Sequence, residues 1–425
     1  MDHQPDQTEP QKSHQGISQV FEVPQGFAWG AVKAGIKASG NLDLAAAIAP
    51  EGASAAAMFT RNLVVAAPVT VGRRHLVSTG GRVRLLLVNA GNANCATGQP
   101  GLDACAQTCV AAADSFGCIF DEVIPSSTGI IGVPFPAEKV LAALPELKTS
   151  LGSTPTHADT FAKAIMTTDT RMKVARSVVD VDGTPVRIFG AAKGAGMIYP
   201  QLGAPLPGEA KHATMLVYLF TDLVATPEEL SALLHPAVDH SFNSISIDGD
   251  TSTNDTVVLL ASGASGIGLD DRTREPFTHA LLLVCASLAH QIVDDGEGVT
   301  HVVNLHIKGA DTGSEAMQVA KTIAHSPLCK TAWSSADPNW GRLIAAAGRS
   351  GVAVQPEKMT VHIGDQVVFQ HGMRVEDFDK NAANATMLQR EYTITLDLGM
   401  GHAECRFLTC DLTEEYVRIN ADYST

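Results

Sequence analysis

Aromatic residues are scarce in this chain, 5% of 425 positions. Its core must therefore close on small side chains, and alanine, glycine and valine are plentiful. Positive charge is also short. Thirty Lys and Arg face 45 Asp and Glu, a formal charge of −15, which argues against sequence-independent nucleic-acid binding, since that needs basic surface. The eight cysteines include no CxxC pair, and the fifteen histidines no HExxH. Cys105 and Cys109 share a helix face and, with Cys118, can be imagined as metal ligands. No His or Cys pair has zinc-site spacing, however, so they read as buried reduced thiols, and no metal is expected. Reduced thiols fit a cytoplasmic location. No apolar stretch reads as a membrane span, and no membrane partner is expected. Residues 1–16 are polar, lack a signal-peptide core and read as a disordered arm.

The remainder alternates strand and helix patterns, with 45% hydrophobic residues for a large core. RVRLLLVNAGNANCATG (82–98) reads as a buried strand running into an Asn/Gly loop, where Asn89, Asn92 and Asn94 either pair polar groups or simply make a turn. SVVDVDGTPVRIFGAAK is a hairpin turning at Asp182-Gly183. Thr226-Pro227-Glu228-Glu229 opens a helix. SISIDGDTSTNDTVVLLASG reads as strand, polar loop, strand, and YTITLDLGMGHAECRFLTCDL as a hairpin near Gly399–Gly401.

Several segments have the chemistry of a site. Ser126-Ser127-Thr128-Gly129 reads as a turn whose Thr-Gly step can aim a hydroxyl and a backbone N–H at one oxyanion. The Lys193 loop, KGAGMIYP, is no dinucleotide fingerprint, but its lysine suits a substrate carboxylate. Glu297, between two glycines, suits an ammonium group. The Asp248–Asp255 loop lacks the calcium pattern; ordering the nearby Thr214 is an equally good use for it.

Thr214 opens the apolar run MLVYLF (215–220), and the Gly/Pro/Ala-rich 201–213 segment before it is the best cuttable loop. Cleavage between Ala213 and Thr214 would create an N-terminal threonine. A threonine hydroxyl needs an adjacent base, and a free α-amine, with a pKa of about 7.7–8.0, is one suited to neutral pH.

Taken in order, NAGNANCATG, SSTGIIG, MTTDT, KGAGMIYP, HATML, DGDTSTND, DGEG, DPNWGR and the terminal NADYST resemble the ornithine acetyltransferases, or glutamate N-acetyltransferases, of the cyclic arginine pathway. The resemblance covers about Val23 to Thr425. It implies self-cleavage into an alpha chain (17–213) and a beta chain (214–425), joined in an α/β layered sandwich of sheets and helices of the N-terminal-nucleophile type. It implies Thr214 as nucleophile, Thr128 and Gly129 as oxyanion pair, and Thr167, Lys193, Thr214, Glu297, Asn420 and Thr425 as substrate-binding residues. It further implies acetyl transfer from N2-acetylornithine to glutamate through an acetyl-threonine ester, without cofactor or metal, and a heterotetramer of two alpha and two beta chains. Some members of the family also accept acetyl-CoA.

Two features depart from the family pattern. Twelve residues, Gln201 to His212, separate Pro200 from Ala213 where the family usually has about two. His301 stands where a lysine is usual. A self-cleaving aminopeptidase or amidohydrolase, a related acetyltransferase of a secondary-metabolite pathway, and a non-enzymatic small-molecule binder remain the alternatives.

Overall fold

The computed structural model describes residues 22–203 and 215–422. The expected arm (1–16) and the expected site residues Ala213, Thr214 and Thr425 lie outside them.

In chain order the first part carries β1 (Ala28–Val32), β2 (Leu44–Thr60), α1 (Ala67–Ser78), β3 (Arg82–Asn92), α2 (Gly98–Phe116), β4 (Val123–Ile130), α3 (Ala137–Thr149), α4 (Pro155–Ala164), β5 (Lys173–Val181), β6 (Thr184–Lys193) and β7 (Leu202–Gly203). The second carries β8 (Leu216–Thr221), α5 (Pro227–Asp239), β9 (Thr256–Ala261), α6 (Arg274–Asp294), β10 (Val302–Ala310), α7 (Gly313–Ala324), α8 (Pro327–Ser334), α9 (Trp340–Gly348), β11 (Thr360–Ile363), β12 (Gln366–Gln370), β13 (Met373–Arg374), α10 (Lys380–Met387), β14 (Glu391–Asp397), β15 (Ala403–Cys410) and α11 (Glu414–Asp422). This is the layered α/β architecture expected.

The larger sheet runs β4-β3-β2-β9-β8-β6-β5, with β1 and β7 each pairing β2. Strands from the two sides of residue 214 interleave in it: β8 is antiparallel to β6 and parallel to β9, and β9 is antiparallel to β2. Neither part could leave without tearing the centre of the sheet.

β8 shows why this centre reads as a continuous apolar run. Val217 and Leu219 pack among the residues of α5 and α6, whereas Leu216, Tyr218 and Phe220 point to the other face. A strand covered on both faces has no polar alternation, and each such side chain contributes about 1.5–3 kcal/mol. A cluster of aromatics gathers on that second face, where Trp29 meets Phe189 and Phe220 edge-on at 5.9 and 5.5 Å. The alanines of β2 let its neighbours close in.

Helix α6 is long and apolar enough to cross a membrane by length and composition, which the sequence reading did not anticipate. Its Phe277, Leu281, Val284 and Leu288 are instead built into the core beneath the larger sheet.

The smaller sheet runs β13-β12-β11-β14-β10-β15, with α7 and α9 contributing to its core. Here one expectation fails. β14 and β15 do not form a hairpin, because β10 lies between them, parallel to β14 and antiparallel to β15. The Gly399–Gly401 turn spans that inserted strand, and the N–H groups of Met400 and Gly401 both donate to Gly309 O. A second correction concerns Ser244–Ile247, which is not a strand: only Ile245 forms an isolated bridge, to Leu408. The expected hairpin at Asp182-Gly183 is present, with both residues at positive φ (51° and 84°), as a tight turn of this hand requires.

Candidate active site

The Thr128-Gly129 step is not a turn, as the sequence suggested, but the end of strand β4. It lies parallel to β3 with Ala90 opposite Thr128 and Gly91 opposite Gly129. The hydroxyl-rich sequence hides this because β3 pairs with it and the Ser127 hydroxyl finds its partner inside the sheet. Ser127 Oγ donates to Asn89 Oδ1 (2.6 Å), and Asn89 Nδ2 donates to Asn92 O (2.8 Å). Asn92 and Asn94 serve the same scaffold, Asn92 Nδ2 reaching Pro134 O (3.1 Å) and Asn94 Nδ2 reaching Gly101 O (3.0 Å). The asparagines therefore brace the strand end rather than face a ligand. Gly129 has φ +130°, and a Cβ there would stand 2.3 Å from the Gly91 carbonyl carbon. Only glycine permits this approach of the two strands.

Lys193 is the last residue of β6, opposite Leu216 at the start of β8. Its buried ammonium donates to Thr128 Oγ1 at 3.1 Å. An ammonium only donates, so the threonine oxygen accepts there and its own proton is left for another partner. Burial lowers the Lys193 pKa, against the opposing pull of Asp169, Glu297 and Asp255.

Beneath the lysine lies a fully enclosed ion cluster that the sequence reading missed. Lys173 Nζ donates to Asp169 Oδ1 at 2.6 Å and also to Asp295 Oδ2. Asp169 further accepts from Gly194 N (2.7 Å) and Thr167 N (2.9 Å), and Asp295 from Thr170 N (3.1 Å). One cation thus ties together the loops of MTTDT, KGAG and DGEG. Burial alone would raise the Asp169 pKa, but Lys193 and Lys173 outweigh it and hold the carboxyl at about 2. The spacing from Asp169 to Lys173 was visible in the sequence; the third partner, over 120 residues away, was not.

On the opposite wall the DGEG loop presents Glu297. Its N–H donates to Ala195 O (2.8 Å), and Asn420 Nδ2 of α11 donates to Glu297 Oε2 (3.0 Å). Gly196 leaves room for this carboxylate, since a Cβ there would lie 2.4 Å from Glu297 Oε2.

The Asp248–Asp255 loop organises backbone. Asp248 accepts from Met197 N (2.6 Å) and Ile198 N (2.9 Å), and Tyr416 O–H reaches it at 3.3 Å. Burial raises the Asp248 pKa to about 6. Asp255 Oδ1 accepts from Met215 N, while Met215 O accepts from Thr256 N at 3.0 Å. The other Asp255 oxygen is buried without a hydrogen-bond partner among the described residues. Burial pushes that carboxyl well above the ordinary range, against Met215 N–H and Lys193.

These parts enclose one cavity of about 320 Å³. Every expected site residue within the described chain lines it: Thr128, Gly129, Thr167, Lys193, Glu297 and Asn420. Asp248 and Tyr416 also line it, and sequence reasoning gave them no such role. The DGD motif was a signal for Asp248, whereas nothing in EEYVRIN marked the tyrosine. His301 is absent from this wall, its Nδ1 lying 3.1 Å from Asp411 Oδ2.

A family model, the ArgJ family, matches residues 28–425. The chain belongs to the ArgJ family. Among its curated relatives, the arginine biosynthesis bifunctional protein ArgJ of Nitratidesulfovibrio vulgaris is 41% identical over 401 residues, 94% of this chain and 98% of that protein. The ArgJ protein of Chlorobaculum tepidum is 42% identical over 402 residues, 94% of this chain and 96% of that protein. Of solved structures, the ornithine acetyltransferase of Mycobacterium tuberculosis complexed with ornithine is 35% identical with a TM-score of 0.38, covering 44% of this chain and 97% of that one. The cavity is therefore built on an ArgJ-family scaffold, from motifs contributed by both halves of the chain.

Proposed function

We propose that this ArgJ-family chain transfers acetyl from N2-acetylornithine to glutamate through an ester on Thr214, after cutting itself between Ala213 and Thr214. The observation that carries this reading is the convergence on one cavity of an oxyanion pair, a buried lysine and a Glu–Asn pair, beside a strand whose first residues directly follow Thr214. Met215 is fixed through its N–H by Asp255 and through its carbonyl by Thr256.

In the first step the Thr214 hydroxyl attacks the Ala213 carbonyl and the C–N bond breaks, which frees the α-amine; water then cleaves the resulting ester, releasing the Ala213 carboxylate and restoring the Thr214 hydroxyl. In turnover that amine takes the hydroxyl proton as Thr214 Oγ1 attacks the acetyl carbonyl. Thr128 O–H and the Gly129 N–H receive the tetrahedral oxyanion; a single donor of this kind is typically worth 10²–10³ in kcat. The collapse returns the proton to the departing ornithine nitrogen and leaves acetyl on Thr214. Glutamate enters, its α-amine attacks the ester, and N-acetylglutamate leaves. Thr167, Lys193 and Thr425 suit the carboxylate and amide of the substrate, and Glu297 with Asn420 the distal ammonium of ornithine. Acetyl-CoA is a second donor on this reading, no cofactor or metal takes part, and the working unit is a cytoplasmic pair of cleaved protomers.

Intact mass measurement tests the proposal. Two polypeptides meeting at Ala213/Thr214, the second gaining one acetyl group on brief exposure to N2-acetylornithine, are expected. A Thr214→Ala variant should stay uncut and inactive. An unbroken chain with full transferase activity would refute the mechanism, and net acetate release in place of N-acetylglutamate would refute the reaction.

A further inference from the structure

A second cavity, about 530 Å³, opens beside α7 and is separate in its lining from the one described above. Its walls come from α7, the residues after α9, and Tyr199 from the KGAGMIYP loop. The protein as a whole is strongly acidic, yet among the described residues no carboxylate lines this space, and the two charged residues that do, Lys321 and Arg349, are both cations. Neither has an ion-pair partner within 4 Å among the described residues. Lys321 lies over the face of the Tyr199 ring, 5.6 Å away, with Cys405 also near enough to act on it. Arg349 places one of its five donors on Thr322 O, at 3.4 Å. Asp239 is near enough to act on Lys321, but it does not line the cavity and accepts from Asn243 Nδ2 at 2.7 Å.

Around these cations stand the hydroxyl of Ser314 and the imidazole of His325, while the Thr322 hydroxyl also lines the space with its proton donated to Gln318 O at 2.8 Å. The imidazole is held in place, its Nε2 3.0 Å from Ser246 Oγ and its ring edge-on to Tyr199 at 4.3 Å. Two cations of different geometry, a point charge and a planar fork, flanked by hydroxyls, match a group with three accepting oxygens better than a carboxylate with two. The space is also far larger than one inorganic anion needs, and falls in the usual range of about 300–1,000 Å³ for small-molecule pockets.

We propose that this cavity is a binding site for a phosphorylated small molecule, with the phosphate between Lys321 and Arg349 and the remainder of the ligand along Tyr199 and Met317. The site is independent of the acetyl-transfer reading, because none of these residues lines the catalytic cavity.

Isothermal titration of the purified protein with ADP, inorganic phosphate and citrate tests it. Saturable binding of ADP is expected, with phosphate weaker and citrate weaker still. Binding should fall as salt rises, and Kd should rise at least tenfold in Lys321→Met and in Arg349→Met, about 1.4 kcal/mol each. Both variants should keep their thermal midpoint and transferase rate. Equal affinity for ADP and phosphate would overturn the small-molecule assignment in favour of a simple anion site. Tighter binding of citrate, no saturable binding of a phosphorylated probe, or undiminished binding in both variants would overturn the proposal entirely.

Discussion

Replacing Lys173 with methionine removes the cation from the cluster that joins three site loops while nearly preserving its volume. In the native protein Asp169 is held at about 2, down from 3.8. At about 1.4 kcal/mol per pKa unit, that shift is worth roughly 2 kcal/mol of stability at neutral pH. The sign is that of a depressed acid: this contribution is present above pH 3.8 and is lost as pH falls towards 2. Without Lys173, Asp169 and Asp295 lose the cation between them, although Lys193 still acts on Asp169 and the half-exposed Arg171 guanidinium remains 3.5 Å from Asp295 Oδ1. Removing one partner of a buried ionic group costs about 3–5 kcal/mol. An unfolding entropy of about 2.1 cal/mol/K per residue over a chain this long makes that a fall of roughly 3–6 °C in thermal midpoint. The pH response should also reverse. One of the stranded carboxyls should take up a proton, its pKa now raised, so the variant should lose stability as pH rises from 4 to 7. Calorimetric scans at pH 4, 5.5 and 7 measure both effects, and adding Asp169→Asn and Asp295→Asn to the variant should recover much of the loss. A Lys173→Met protein with an unchanged midpoint and the native pH slope would show that the cluster carries no such energy.

Three further outcomes follow from the same geometry. Gly129→Ala places a Cβ 2.3 Å from backbone at φ +130°; kcat should fall 10²–10³-fold as the oxyanion N–H is displaced, and a rate within threefold of the native one would refute that role. Gly196→Ala crowds Glu297 Oε2 at 2.4 Å, so KM for N2-acetylornithine should rise about tenfold with kcat nearly unchanged, the pattern of lost uniform binding; steady-state kinetics decides it. Asp248 has its pKa raised to about 6 by burial, so the pH profile of kcat/KM should contain an ionisation near 6 that Asp248→Asn removes. An identical profile in that variant would count against the carboxyl.

The sequence by itself marked Thr128, Gly129, Lys193 and Glu297 as residue types suited to a site, the family resemblance added Thr167 and Asn420, and all six line one cavity. It also determined the elements whose cause is local. The Asp182-Gly183 turn needs positive φ at two positions, and Thr226 and Glu229 make a reciprocal cap, because those preferences act over a few residues. Only the tertiary structure decided matters of pairing. Ser126–Gly129 looks like a turn until β3 pairs with it and Asn89 accepts from the Ser127 hydroxyl. β14 and β15 look like a hairpin until β10 enters between them. Lys173 looks like an ordinary strand residue until Asp295 arrives from another part of the chain. In each case the deciding interaction joins segments distant in sequence, and a sequence read in windows cannot contain it. The burial that raises Asp248 and lowers Lys193 belongs to the assembled cavity and to no single motif.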